Sequence, residues 1–321
     1  DIMATMDGEI SRLKHKDQSV RRKAVRNLFD FDNPRALTGF VDLLNDKDQW
    51  FRSKAIEAHR KWASKGEHLV PLLKTDKRIA AEILQTVKDL EIAKVLIKEE
   101  DHIVRSFASK ILISDESYHD DMALDEHHSV RCIVAENTDD SNLIQTLIND
   151  IHPIVATKAL DNAFKKDIKL DDALIGKLLG SNDEILRGSA AQHAIYNGGD
   201  NMILAIKDTS SKVRKIVSKS IKEMIPEVDD RITLIAKHNP ETATLWLRGK
   251  YDEKSSELRW KMIENNQISS MVRSKLIQQL DGKTAIDISR VIQLEENEDE
   301  LIKLSAINLS ASYYELTGEE R

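Results

Sequence analysis

Cysteine is nearly missing from this chain: Cys132 stands alone among 321 residues. One thiol excludes an internal disulfide framework and a zinc site built from several cysteines, and the expected compartment is the reducing cytoplasm. Breakers are scarce too, with 5 prolines and 11 glycines, which suits an almost entirely helical chain with short interruptions. No apolar run reaches the length of about 18 residues that a membrane span needs. A basic stretch followed by an apolar one, the mark of a secretory signal, is also missing at the N-terminus. Nor is there a surplus of positive charge: the formal net charge is −7, which disfavours wrapping of the whole chain around a nucleic-acid duplex.

What the chain has instead is repetition. An Asp-x-x-Val-Arg-x-x-Ala pattern recurs around the anchors Val20, Phe51, Ile79, Val104, Val130, Val155, Leu186, Val213, Thr242, Val272 and Ile302, spaced 25 to 31 residues apart. A period of that size marks a solenoid or array. Three residues before the anchors stand Asp17, Asp48, Asp76, Asp101, His127, His152, Asp183, Ser210, Asn239, Ser269 and Asp299; all but the two histidines are good helix N-caps, so a helix is expected to start there each time. Pro153 and Pro240 follow two of the caps, at the first helical position, where a missing N–H is harmless. Four residues after the anchor come Ala24, Ala55, Ile83, Ala108, Val134, Ala159, Ala190, Val217, Trp246, Leu276 and Ala306, on the same helical face as the anchor. The frequent alanine lets a facing helix approach closely.

A second amphipathic stretch precedes each cap, for example Ala36 to Leu44, His68 to Leu73, Asn142 to Ile148 and Ala173 to Leu179. Each repeat therefore reads as a helical hairpin that cannot bury its apolar face alone, whereas stacked hairpins share one core. The expected fold is all-α, a right-handed α-solenoid of about eleven helix-turn-helix repeats over residues 9–312. Residues 1–8 read as an N-terminal tail, partly vector-derived, and 313–321 as a C-terminal tail.

The pattern resembles the HEAT-repeat family, in its short, PBS-lyase-type variety. Residues 125–160, around Val130-Arg-Cys-Ile-Val-Ala-Glu-Asn137, resemble the related leucine-rich-variant repeat. These repeats are shorter than the roughly 40–47 residues of full HEAT or armadillo units, so several first helices must be short. The resemblance implies a binding scaffold whose second helices line a concave groove.

Catalytic and cofactor motifs do not emerge. Some HEAT-like enzymes hold a di-iron centre on His-Glu dipeptides, and this chain has none among its ten histidines. The pair His127-His128 has no evident partner histidine one repeat away and reads as structural, as does His152. Cys132 reads as a buried, inert thiol. Asn197-Gly-Gly-Asp200 reads as a tight turn, and Glu295 to Glu300 as a solvated acidic turn. Tyr313 and Tyr314 either cover the last core layer or form a contact site. HEAT-like DNA glycosylases use an aromatic-plus-Asp cluster that is not matched here.

The arginines Arg21, Arg52, Arg105, Arg131, Arg187, Arg214 and Arg273 follow their anchors directly. They read as a ladder, each bonding its own cap residue four positions back or the neighbouring repeat's turn, and not as a phosphate stripe. The residues expected to bind a partner lie on the basic N-terminal second helices: Arg22, Lys23, Arg26, Trp50, Lys54, Arg60 and Lys61, with Trp62 beside them. Lys215, Lys219, Lys222, Arg259 and Lys275 are further candidates. The expected function is a non-enzymatic protein-protein interaction scaffold without metal, cofactor or membrane contact. The alternative is a nucleic-acid-binding or DNA-repair protein that uses basic residues beside aromatics for backbone contact and stacking.

Overall fold

A computed structural model describes residues 2–321, and they form helices and turns without a strand. Eleven second helices appear where the caps predict them: α1 Gln18–Phe31, α2 Gln49–Trp62, α3 Lys77–Val87, α4 His102–Leu112, α5 His128–Asn137, α6 Pro153–Lys165, α7 Glu184–Asn197, α8 Ser211–Met224, α9 Pro240–Leu247, α10 Ser270–Gln278 and α11 Glu300–Thr317. Every one of the eleven cap side chains accepts a backbone N–H of its helix's first turn. The two histidines do so as well, His127 from Ser129 and His152 from Ile154. An imidazole Nδ1 carrying a free lone pair is an acceptor like a carboxylate oxygen.

The residue four after the anchor is buried in all eleven repeats. Eight anchors are buried with it; Val20, Ile79 and Thr242 are only half-buried. In repeats three and nine the alanine after the anchor is fully buried in its place, Ala80 and Ala243. These helices are turned by one residue, and a buried alanine occupies the position at which other repeats carry an arginine.

The first elements are short, as the spacing requires. Ser141–Ile148, Asp172–Leu179 and Gly199–Ile206 are eight-residue α-helices. The stretch read as a helix over Ala36 to Leu44 is instead two 3-10 turns, Pro34–Phe40 and Asp42–Asn45. Asn33 caps the first of these and Pro34 opens it. Gly39 lies so close to the helix Ile2–Arg12 that an added Cβ would meet Leu13 at 2.9 Å and Ile10 at 3.0 Å. The double glycine behaves as a turn: Gly198 and Gly199 both have φ near +75° (74° and 76°), the left-handed region that favours glycine.

Two compact units divide the chain, one ending at Lys166 and the other starting at Asp167; each is an α-solenoid segment of stacked hairpins. In the N-terminal half α3 packs on α4, α4 on α5 and α5 on α6; in the C-terminal half α7 packs on α8, α9 on α10 and α10 on α11. Helix already begins at Ile2 and Met6 is fully buried, so residues 2–8 join the packed array where the sequence reading placed a tail. At the other end α11 runs to Thr317 and buries Tyr313, which covers the last core layer. Among the described residues no helix is long and apolar enough to cross a membrane.

Since the fourth residue is the most consistently buried position of the repeat, Leu276→Ala is expected to cost about 2–5 kcal/mol. Urea unfolding of the variant and parent chains measures it, and a loss within error of zero would contradict the packing described.

Candidate interaction surfaces

The arginine after each anchor does not bond its own cap side chain. Among the described residues none of the pairs Asp17/Arg21, Asp48/Arg52, Asp101/Arg105, Asp183/Arg187 or Asp299/Lys303 forms an ion pair between side chains. In repeats one, four, five and seven the arginine reaches forward, to the aspartate that stands two residues before the next cap; Arg52, Arg214 and Arg273 donate to backbone carbonyls instead. Arg105 holds Asp125 through Nε and a second nitrogen (3.0 and 3.1 Å), Arg131 holds Asp150 (2.8 and 3.1 Å) and Arg187 holds Asp208 (3.0 and 3.3 Å). Arg21 pairs with Asp46 through one terminal nitrogen, while its Nε donates to the Leu13 carbonyl. Each of these aspartates also accepts the backbone N–H of the next cap, from Asp48, His127, His152 and Ser210 at 2.8 to 2.9 Å.

A further nitrogen of the same arginine donates backward, to the two carbonyls that lead into its own repeat: Arg105 to Glu99 and Glu100, Arg131 to Asp125 and Glu126, Arg187 to Ser181 and Asn182. One guanidinium thereby joins three stretches of backbone, a use that needs its rigid fork. Burial pushes Asp208 up, but the Arg187 bond and the Ser210 N–H outweigh it and hold the carboxylate below its ordinary range. With the donors of these three arginines committed to the frame, a phosphate stripe is not what they form.

The basic N-terminal residues meet only in part. Arg22 and Lys54 both lie against the ring of Trp50, at 5.7 and 5.8 Å from its centroid. Lys54 and Lys61 lie over Phe29 at 5.4 and 5.8 Å. Most of these cations already have an acid: Arg22 meets Asp48 (3.4 Å), Lys54 meets Glu57 (3.1 Å), Arg60 meets Glu82 (3.0 Å) and Lys61 meets Asp32 (3.3 Å). Lys23 and Arg26 are exposed and have no ion pair among the described residues. Trp62 is buried, stacked on Phe29 at 5.1 Å, with its indole N–H on Asp32. It is a core residue and offers no stacking face.

In the C-terminal half Arg259 is not a surface residue at all. It is completely buried and donates to the carbonyls of Leu247 and Lys250 just beyond α9 (2.7 Å each) and to Gln279 (3.1 Å). Its partners are carbonyl oxygens, and its role is to finish a helix end. Lys219 and Lys222 line a cleft of about 560 Å³ between α8 and α9, together with Thr242, Leu245, Trp246 and Arg248. Lys275 lines a second cleft of about 470 Å³ between α9 and α10, which shares Leu245 and Arg248 with the first. Lys215 is exposed.

The sequence reading missed a row of stacked histidines. His102 and His152 each stand 25 residues from His127, one repeat away on either side. The rings stack in the order His102, His127, His128, His152, with centroids 3.8, 4.4 and 4.0 Å apart. Stacked imidazoles point their lone pairs in near-parallel planes, which do not converge on one ion. Burial, with His102 and Arg105 close by, holds His127 below its ordinary value of 6.5; burial, with His152 and His127 close by, does the same to His128. Cys132 is half-buried where burial was expected, and desolvation pushes its thiol up to about 11, which leaves it protonated and unreactive.

The histidine row gives a pH dependence. Protonation of Nδ1 in His127 would replace a cap acceptor with a donor. Because His127 and His128 bind protons less readily in the fold than in the unfolded chain, stability is full above the ordinary value of 6.5 and falls as pH drops through it. The melting temperature is therefore expected to fall between about pH 7 and pH 5, before carboxylates titrate. The double variant His127→Asn, His128→Gln keeps a cap acceptor that does not titrate and should flatten that slope. An unchanged slope would contradict the role assigned to the row.

A family model described as HEAT repeats matches residues 7–88, the stretch that holds α1, α2 and α3. No curated protein matches the sequence. Matching solved structures include two engineered proteins. One is 14% identical over 96% of this chain and 98% of its own, with a TM-score of 0.41; the other is 13% identical over 97% of both chains, with a TM-score of 0.17.

Proposed function

We propose that this chain is a non-enzymatic scaffold that captures another protein on the exposed sides of its second helices; residues 7–88 match a model of HEAT repeats, and the later repeats use the same cap, anchor and fourth residue. One observation carries the reading. The residues that recur in the repeat are taken up by the frame, as cap, core or bridging arginine, so the positions left free to differ from repeat to repeat are the exposed ones. A surface of that kind can be large and can vary without cost to the core.

In the N-terminal half the contact surface is the cluster of Arg22, Trp50 and Lys54, with Lys23, Arg26 and Lys61 around it; Arg60 lies apart, toward Glu82. Trp50 supplies the half-buried aromatic anchor and the cations supply steering. Nucleic acid is the second reading, favoured by cations lying against an exposed edge of tryptophan. The acid beside each of Arg22, Lys54, Arg60 and Lys61 counts against it, since phosphates would have to displace a carboxylate at every contact.

Combined charge reversal of Arg22, Arg26, Lys54 and Lys61 is expected to reduce partner capture in a pull-down by about tenfold or more. The pairs broken are exposed and contribute only about 0–1 kcal/mol each, so thermal unfolding should barely move. Undiminished capture by the folded variant would refute this placement of the surface. A gel shift that weakens steeply with salt, and is lost in the same variant, would favour nucleic acid.

A further inference from the structure

Repeat nine departs from the pattern in three ways. Its second helix, α9, is only eight residues long. It carries Ala243 where seven of the eleven repeats carry an arginine, and Trp246 where six of the eleven carry alanine. The tryptophan is buried and donates its indole N–H to the carbonyl of Ile225, at the end of α8 (2.8 Å). A side chain of that size at the close-approach position holds neighbouring helices apart. Two clefts flank α9, and Trp246 lines the one toward α8.

Both clefts share Leu245, which is 63% exposed. It forms an apolar ridge with space of about 560 Å³ on one side and about 470 Å³ on the other. The rim is cationic: Lys219, Lys222, Arg248 and Lys275 line the clefts, and Glu241 is the one carboxylate among the lining residues. Lys222, Arg248 and Lys275 have no ion pair among the described residues, and Lys219 has only a loose, exposed one with Glu223 at 3.9 Å. This differs from the N-terminal cluster, where the acids are already in place. A chain of net charge −7 therefore presents here a locally positive, partly apolar groove with uncompensated charge.

We propose that α8, α9 and α10 form a docking groove for an acidic segment of a partner protein, which seats an apolar side chain in each cleft beside Leu245 and sets carboxylates against Lys222, Arg248 and Lys275. Charge complementarity selects the occupant: three free cations favour anionic side chains, and the apolar ridge with its two clefts favours large side chains between them. Clefts of this size fall in the range of specific binding sites, about 300–1,000 Å³. A purely polyanionic ligand would leave Leu245 and the wall of Trp246 unused. The inference rests on the scaffold reading, and it places a contact surface in the C-terminal half of the chain.

The test uses the full chain and a phage-displayed library of short random peptides. The enriched peptides are expected to be net acidic and to carry two large apolar residues. Their binding, followed by fluorescence anisotropy, is expected to weaken about tenfold or more in the variant Lys222→Glu, Arg248→Glu, Lys275→Glu, and to weaken comparably in Leu245→Glu. All four positions lie on the surface; circular dichroism checks that the variants stay folded. Failure to enrich any peptide, enrichment of neutral or basic peptides, or binding indifferent to these variants would overturn the groove. So would oligo(dT) that binds at low salt and displaces the peptides, which would assign the groove to nucleic acid. The reversal of Arg22, Arg26, Lys54 and Lys61 serves as the control. If it abolishes partner capture while the groove variants do not, the scaffold reading stands and the groove alone is wrong.

Discussion

The structure depends on one joint, the bridge between the arginine after an anchor and the aspartate two residues before the next cap. Core packing alone would let neighbouring hairpins slide, because alanines and valines meet without direction. The guanidinium supplies direction. It fixes the entry of its own helix through two carbonyls and the entry of the next through a carboxylate, and that carboxylate in turn holds the next cap's N–H. The side chains are mostly shielded, 14% and 12% exposed for Arg105 and Asp125. The pair is therefore screened less than a surface ion pair and its bonds are charge-assisted.

At repeat nine, where the joint is missing, the fold changes character. Repeat nine has no arginine, a rotated and shortened second helix, and a tryptophan at the close-approach position; open clefts flank it. Repeats four and five keep the joint, and a stacked histidine row runs beside it from repeat four to repeat six. Departures from the repeat thus show where surface and response differ, and the repeated residues show what is held constant.

Much of the fold was legible because its signals are local. A cap, an anchor and a fourth residue lie within eight positions of one another, and the caps located all eleven second helices. The partner of each arginine was not legible in the same way. Asp46, Asp125, Asp150 and Asp208 lie 19 to 25 residues from the arginines they hold, and only the stacking brings them together. The aspartate at two before the cap recurs in the sequence and would have been the clue. The same holds for the histidine row: His127 and His152 share the cap position while His102 stands one residue past its cap, and only the stacking brings the rings together. Arg259 was misplaced because charge suggests surface, whereas the end of α9 needed a donor for free carbonyls.

The central claim is that the arginine is a structural joint between repeats and not a binding residue. A double-mutant cycle on Arg131 and Asp150, with Arg131→Met, Asp150→Asn and the double variant compared by urea unfolding, tests it most directly. The claim predicts a coupling energy of about 1–3 kcal/mol between the two sites. Independent, additive effects, or two single variants as stable as the parent chain, would contradict it.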